Sequence, residues 1–284
     1  MHKLLLRQLE RSLILLLGVG VAYVALWQLL PRLDHRLPVF IASLVWYICT
    51  VYLLIPLAYR LYRIFKKPHH IPSHTSTPDG FPCDPINIAV IGTRTELIDA
   101  MRAAGWRQAD KRTLRAAWKL GWALLLNKSY PTAPFSTLYL FGRGQDYGFE
   151  IEMDGSVRHR HHIRFWAVNI EQSTEPKFYR HIELWRRHHY FQKHRRHSFM
   201  WVGAATLDNG FGFIRYNGQL THSIDPNTNK ERAFVAKSLH NSGWVHNEKR
   251  VRAHSVLSLK NRVLGIRMEA DGDILVVDLQ RPKN

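Results

Sequence analysis

The sequence predicts an α+β protein: an N-terminal two-helix transmembrane hairpin followed by a soluble, largely antiparallel sheet domain with helices packed on it. Three observations carry this expectation. Two long uncharged apolar stretches follow one another within the first sixty residues. From Ile86 onward, short runs that alternate apolar and polar side chains recur, several joined by tight-turn pairs such as Asp154-Gly155. Between them fall a few capped helical segments. The 284 residues leave room for two units, and 46% hydrophobic residues suit a folded body. The two cysteines, Cys49 and Cys83, form no CxxC pair, which excludes a disulfide framework and a cysteine zinc cage.

The first apolar stretch, residues 12–30, carries no charge, and its eleven Leu, Ile and Val residues, at about −0.4 kcal/mol each, favour insertion by roughly 4 kcal/mol. The second, 39–58, is also uncharged and confines Pro56 to its last turn. Neither has the polar stripe of a soluble core helix. The expected organisation is a transmembrane hairpin over 1–67, with spans at about 12–30 and 38–59, a Pro/Ser/Thr-rich linker over 68–83, and a soluble domain over 84–284. Lys3, Arg7 and Arg11 precede the first span, and Arg60, Arg63, Lys66 and Lys67 follow the second. The positive-inside rule therefore expects two passes with both termini cytoplasmic.

In the soluble part, residues 86–92 read as a strand, and Thr93 with Glu96 as a capping box opening a helix to about Ala104. Asp110 is the expected cap of a second helix through LRAAWKLGWALLLN. Strands follow at 136–141, 147–153 and 157–168, the last two forming a hairpin about Asp154-Gly155. A helix is expected over 178–194, strands over 200–207 and 211–224, a helix over 230–241, and a hairpin over 262–279 about Asp271-Gly272. Tight turns between most strands make the sheet mainly antiparallel.

Lys and Arg number 40 against 22 Asp and Glu, a net charge of +18. Only nine basic and two acidic residues fall in 1–70, so the soluble part is basic in its own right and its partners are expected to be anionic. No RRM, KH or zinc-knuckle signature accompanies the charge, which argues against nucleic acid.

The stretch 157–166 (VRHRHHIRFW) is the most chemically loaded. Strand alternation puts Arg158, Arg160, His162, Arg164 and Trp166 on one face. A row of guanidiniums suits a phosphate or carboxylate; the plainer alternative is a solvated outer face. In Gly142-Arg143-Gly144-Gln145-Asp146, Arg143 and Asp146 either aim at a shared site or pin a tight turn. His222, with Asp225 just past its strand and His162 on another strand, supplies the residue types of a metal or acid-base site, although a lone buried histidine usually just makes a hydrogen bond. No metal is assigned. The basic, aromatic run 180–197 places Arg186, Arg187, Arg195 and Arg196 where an interfacial helix would meet anionic lipid; the alternative is a solvated helix packing its aromatics on the sheet.

Taken in order, several stretches resemble the C-terminal domain of the LssY family: Asp84-Pro85-Ile86-Asn87, Gly105-Trp106, Pro134, the run 138–146 (LYLFGRGQD), Phe149, 160–166 (RHHIRFW), 201–208 (WVGAATLD), 221–226 (THSIDP) and Glu231-Arg232. The resemblance covers roughly 84–243. It implies a bacterial inner-membrane protein working near lipid phosphates, since such domains accompany PAP2-type lipid phosphatase or DedA-like membrane modules, and it implies no particular reaction. On it, Arg143, Arg160, Arg164 and Arg232 are candidate anion-binding residues, supported by Gln145, Asp146, His161 and Trp166. The sequence departs from the family pattern at Ser223, where histidine is common, at Asn229, where aspartate is common, and in a long connection over 171–198. The expected function is a membrane-anchored cytoplasmic domain that recognises an anionic phosphorylated ligand, a lipid head group. The alternatives are a metal-dependent phosphoester hydrolase using His162, His222, Asp225 and Asp208, and a structural adaptor for another membrane protein. The sequence names no cofactor.

Overall fold

A computed structural model of the chain describes residues 16, 20, 23–29, 38–59, 72–169, 198–213, 220–261 and 266–282. They fall into two compact units: one holds the N-terminal helical residues and the tip 76–81, the other the strand-rich remainder.

In the first unit, helix α1 (Val39–Tyr59) has 21 residues with a mean hydropathy of 2.1. At about 1.5 Å per residue it reaches the roughly 30 Å of a bilayer's hydrocarbon core. Most of the stretch 12–30 lies outside the described residues, and only the helical segment Val24–Leu29 represents it as an element. The second helix of the hairpin therefore rests on the sequence.

The second unit begins inside the stretch expected as a linker. Strands β1 (His74–Ser76) and β2 (Pro82–Pro85) occupy part of it, and the Thr75 hydroxyl donates to the Asp84 carbonyl at 3.1 Å. Prolines at both ends of β2 had disguised it, because proline is tolerated at strand ends. Strand β3 (Ile88–Thr93) leads into α2 (Arg94–Ala103) through the expected capping box: Glu96 N–H donates to the Thr93 hydroxyl, and Thr93 N–H to the Glu96 carboxylate. After β4 (Arg107–Gln108), helix α3 (Leu114–Leu125) starts later than expected. Thr113, not Asp110, caps it by accepting from Ala116 N–H at 3.1 Å. The Asp110 carboxylate instead accepts from the Tyr130 and Thr132 hydroxyls.

Short strands β5 (Tyr139–Leu140) and β6 (Arg143–Gly144) precede the long hairpin of β7 (Tyr147–Met153) and β8 (Ser156–Asn169). Its turn is Asp154-Gly155, both at positive φ, 53° and 62°. Strand β9 (Ser198–Phe213) runs straight through 208–210, so the two strands expected there are one, and β10 (Leu220–Ile224) pairs back on it. Then come α4 (Thr228–Asn241), β11 (Val245–Arg252), β12 (Leu257–Asn261), β13 (Ile266–Ala270) and β14 (Asp273–Leu279). Asp271-Gly272 does not close a hairpin: β13 pairs with β12, while β14 pairs with β11 and β3. The helix expected over 178–194 lies outside the described residues.

The main sheet has the order β11-β14-β3-β9-β8-β7-β4, with β10 beside β9. Of its ladders only β14–β3 is parallel. The fold is thus α+β with a largely antiparallel sheet. Ile163, Phe165 and Trp201 on one face pack against Leu97 and Met101 of α2 and Val235 and Leu239 of α4. On the other face Trp166, Val168 and Val202 pack against Ile86, Leu138 and Leu140. A smaller sheet, β2-β1-β5-β6, is built from the segments that supply this second cover.

Gly203, in the middle of β9, stands between Ile88 of β3 and Phe165 of β8. A Cβ there would come within 2.8 Å of both side chains. Gly203→Ala is therefore expected to cost about 1–3 kcal/mol in unfolding of the full-length protein in detergent. Gly121→Ala, where a Cβ meets nothing within 4 Å, should cost nothing.

Candidate functional site

Strand β8 lies between β7 and β9, and their registers assemble one polar group on the face away from α2 and α4. Glu150 stands opposite His162, Asp208 opposite Arg160, and Thr206 opposite His162, and directly opposed residues share a face. Arg160 donates through Nη1 to Glu150 at 2.7 Å and through Nε to Asp208 at 3.1 Å. Arg164 donates to Asp84 of β2 at 2.6 Å. His162 lies between two carboxylates, Nδ1 at 3.2 Å from Asp208 and Nε2 at 3.6 Å from Asp84, with Nε2 also 2.7 Å from the Thr206 hydroxyl. None of Asp84, Glu150, Arg160, His162, Arg164 and Asp208 is more than 3% exposed.

Phe135 closes the group. Its ring centroid is 4.5 Å from the Arg164 guanidinium, 5.6 Å from that of Arg160 and 5.5 Å from the His162 ring. Gly148, opposite Arg164, makes this approach feasible, since a Cβ there would lie 2.3 Å from the Phe135 ring.

Burial and charge compete within the group. Burial pushes the Asp84 carboxyl up, but Arg164 and His162 outweigh it and hold the group below the usual carboxylate range. Burial lowers His162, but Asp208, helped by Asp84, prevails and raises it, favouring the imidazolium. For Glu150 burial wins over the attraction of Arg160 and His162 and raises it to about 8; its Oε1 has no hydrogen-bond partner. Three carboxyl groups thus face two guanidiniums and an imidazole in a buried layer.

The other candidate residues are placed elsewhere. Arg143 pairs with Asp146 and donates to the Ala167 carbonyl at 2.6 Å, while the Asp146 carboxylate accepts from Ala167 N–H and Trp166 Nε1–H donates to the Arg143 carbonyl. Gln145 accepts from Leu138 N–H. The motif 142–146 thereby fastens a turn to β8, which is the pinned-turn alternative. Arg232 grips Asp271 bidentately at 2.8 and 2.6 Å, and that bond, ahead of other effects, lowers Asp271 to about 2. His161, on the helix-facing side of β8, lies 2.8 Å from Glu231 and stacks on Phe234. Asp225 accepts from Asn227 N–H at the entry to α4, and the backbone of His222 pairs with Phe211 in the edge ladder of β10. Asn229, at a family departure, accepts from Asp271 N–H. Arg186, Arg187, Arg195 and Arg196 lie outside the described residues.

The structure therefore brings Arg160, His162, Arg164 and Asp208 together and keeps Arg143, Arg232 and Asp225 in separate pairs. Sequence reasoning missed Glu150, Phe135 and Gly148 entirely and quoted Asp84 only within a motif. Among the described residues, no group of three or more His, Cys, Asp or Glu is arranged to hold a metal ion. A groove of about 360 Å³ along α4, lined by Phe234, Lys237 and Ser238, contains none of the candidates.

The family comparison covers the segments that hold these residues. The family model described as the LssY C-terminus matches residues 68–274. The chain belongs to the LssY C-terminal family. No curated protein and no solved structure matches it. The LssY match runs beyond the 84–243 expected from motifs, and it takes in β1, β2 and most of the strands after α4. In this LssY domain the motif residues Asp84, Arg160, His162, Arg164 and Asp208 are partners of one another.

The raised groups make the fold proton-dependent with a definite sign. Glu150 and His162 hold protons more tightly in the folded chain, so their stabilisation is complete at low pH and is lost as pH rises, for Glu150 between about 4.5 and 8. Asp84 acts oppositely, its contribution being lost as pH falls below the usual carboxylate range. Thermal unfolding of the full-length protein should show a midpoint that declines from about pH 5 to pH 8.5. Glu150→Gln, which mimics the protonated acid, should flatten that decline and remain folded at neutral pH.

Proposed function

We propose that this chain is a two-pass, membrane-anchored protein whose cytoplasmic LssY domain recognises an anionic phosphorylated ligand, a lipid head group, across an exposed cationic surface. The observation that carries this reading is the internal neutralisation of the candidate arginines. Arg143, Arg160, Arg164 and Arg232 each lie against an aspartate of the same chain, Asp146, Asp208, Asp84 and Asp271 in turn. The exposed cations of the described residues are others, such as Lys111, Arg115, Lys128 and Arg158, while most of the net charge of +18 falls on residues outside the described ones. Spread-out exposed cations suit a charged sheet of phosphates better than one enclosed phosphate, since each Lys or Arg near an anionic leaflet contributes about 1 kcal/mol without needing a fitted pocket. Helix α1 supports the placement beside a bilayer. The sequence adds Arg186, Arg187, Arg195 and Arg196, which lie outside the described residues. The hydrolase alternative has less support, because the Asp225 carboxylate is engaged at the start of α4 while His162 and Asp208 are sealed under Phe135.

Full-length protein in neutral-detergent micelles should be stabilised by added phosphatidylglycerol but not by phosphatidylcholine. The increment should shrink between low salt and about 0.5 M, where exposed charges are screened within a few ångströms. Glycerol phosphate and inorganic phosphate separate the sources: a lipid surface predicts little response to either, and equal stabilisation by free phosphate would replace the surface with a discrete anion site. Salt-independent binding, or none, would remove the proposal.

A further inference from the structure

Helix α3 has a face that no other part of the described chain covers. Leu114 is 93% exposed, Trp118 71% and Leu125 71%, with Trp122 and Leu126 also exposed. At about 100° per residue, Leu114, Trp118, Trp122 and Leu125 fall within an arc of roughly 80°. Ala116 and Ala123, on the opposite side of the helix, are buried, Ala123 against Tyr130, Ala133 and Val157. The stripe is therefore not the helix's packing face. The two tryptophans stack edge to face at 5.9 Å and form one continuous ridge.

Charge says what this ridge meets. From Lys111 to Lys128 there are five basic residues and no acidic one. Arg115 falls at the margin of the stripe, and Lys119 next to it sits over the Tyr130 ring at 3.9 Å. A second copy of the chain would bring these cations against the same cations. An anionic bilayer offers apolar depth for Trp and Leu and phosphates for Lys and Arg, and tryptophan is favoured at that boundary. Burying four such side chains partway contributes attraction that the charges alone do not give.

We propose that α3 is a monotopic docking helix that lies in the head-group region of an anionic bilayer, with Trp118, Trp122 and Leu125 inserted. The proposal rests on the membrane-anchored reading above and names the element that makes the contact.

The test uses the full chain with Cys49 and Cys83 replaced by Ser, reconstituted in nanodiscs of phosphatidylcholine with phosphatidylglycerol. A nitroxide is placed at Leu125→Cys or, as a water-facing control, at Lys237→Cys on α4, which is exposed. Docking predicts that the label at 125 collides readily with oxygen and poorly with a water-soluble nickel chelate, with the opposite pattern at 237. In discs of phosphatidylcholine alone, chelate access at 125 should rise several-fold. The pair Trp118→Gln and Trp122→Gln should produce the same rise while leaving the unfolding midpoint in neutral micelles unchanged, because both rings are exposed. A water-like signal at 125, or a label shielded from both colliders as burial against protein would give, overturns the proposal. Stabilisation by phosphatidylglycerol with a water-like label at 125 refutes docking by α3 and leaves head-group recognition standing. A lipid-facing label without that stabilisation supports docking and removes head-group recognition.

Discussion

Ionised groups withdrawn from water must find counter-charges within hydrogen-bond reach, and on β8 this constraint organises the domain. Arg160, His162 and Arg164 point into a buried layer beneath Phe135. The layer is tolerable because Asp208 from β9 and Asp84 from β2 supply counter-charges, while Glu150 from β7, still protonated at neutral pH, accepts a hydrogen bond from Arg160. Removing one partner of such a pair strands the other and typically costs about 3–5 kcal/mol. The cluster therefore dictates where β2 and the Phe135 segment must lie. That fixes the second cover of the sheet, whose first cover is the ordinary apolar packing of α2 and α4. Its electrostatics are lopsided: burial keeps a proton on Glu150 up to about pH 8, whereas Arg164 keeps Asp84 ionised against the same burial.

Neutralising the inner arginines has an outward consequence. With the Arg-rich strand internally matched, the exposed cations of the described residues include those on and around helix α3. There cations stand beside exposed Trp and Leu instead of enclosing a pocket. Core and surface divide the labour: the motif residues set the fold, and the less distinctive segment 111–128 supplies amphipathic character.

Much of this was legible in the sequence where local chemistry decides. The Thr93–Glu96 capping box, the Asp154-Gly155 turn and the alternation of 160–166 each depend on near neighbours and hold in the structure, whereas 157–159 fall in a bulge. What failed depended on distant partners. Asp208-Asn209-Gly210 reads as a turn, yet the long ladder with β8 carries β9 through it, with Gly210 at a φ of 130°. A two-residue turn alone would set Glu150 opposite His159. A bulge between Glu152 and Met153 moves it opposite His162, onto the charged face, and the sequence bears no mark of that bulge. Asp84 sat at the edge of a Pro-rich stretch that reads as a linker. The solvated-face alternative for β8 also assumed that nothing covered it, whereas Phe135 and Asp84 come from segments with little strand character of their own.

The account stands most directly on the coupling between Asp84 and Arg164, because this pair ties β2 to the centre of the sheet at 2.6 Å. A double-mutant cycle with Asp84→Asn and Arg164→Met, read by denaturant unfolding of the full-length protein, isolates it. A buried pair that holds the cover in place predicts single-variant losses whose sum exceeds that of the double variant by about 1–3 kcal/mol. Losses that add within about 0.3 kcal/mol would show that the two charges stabilise the chain independently and would contradict the account.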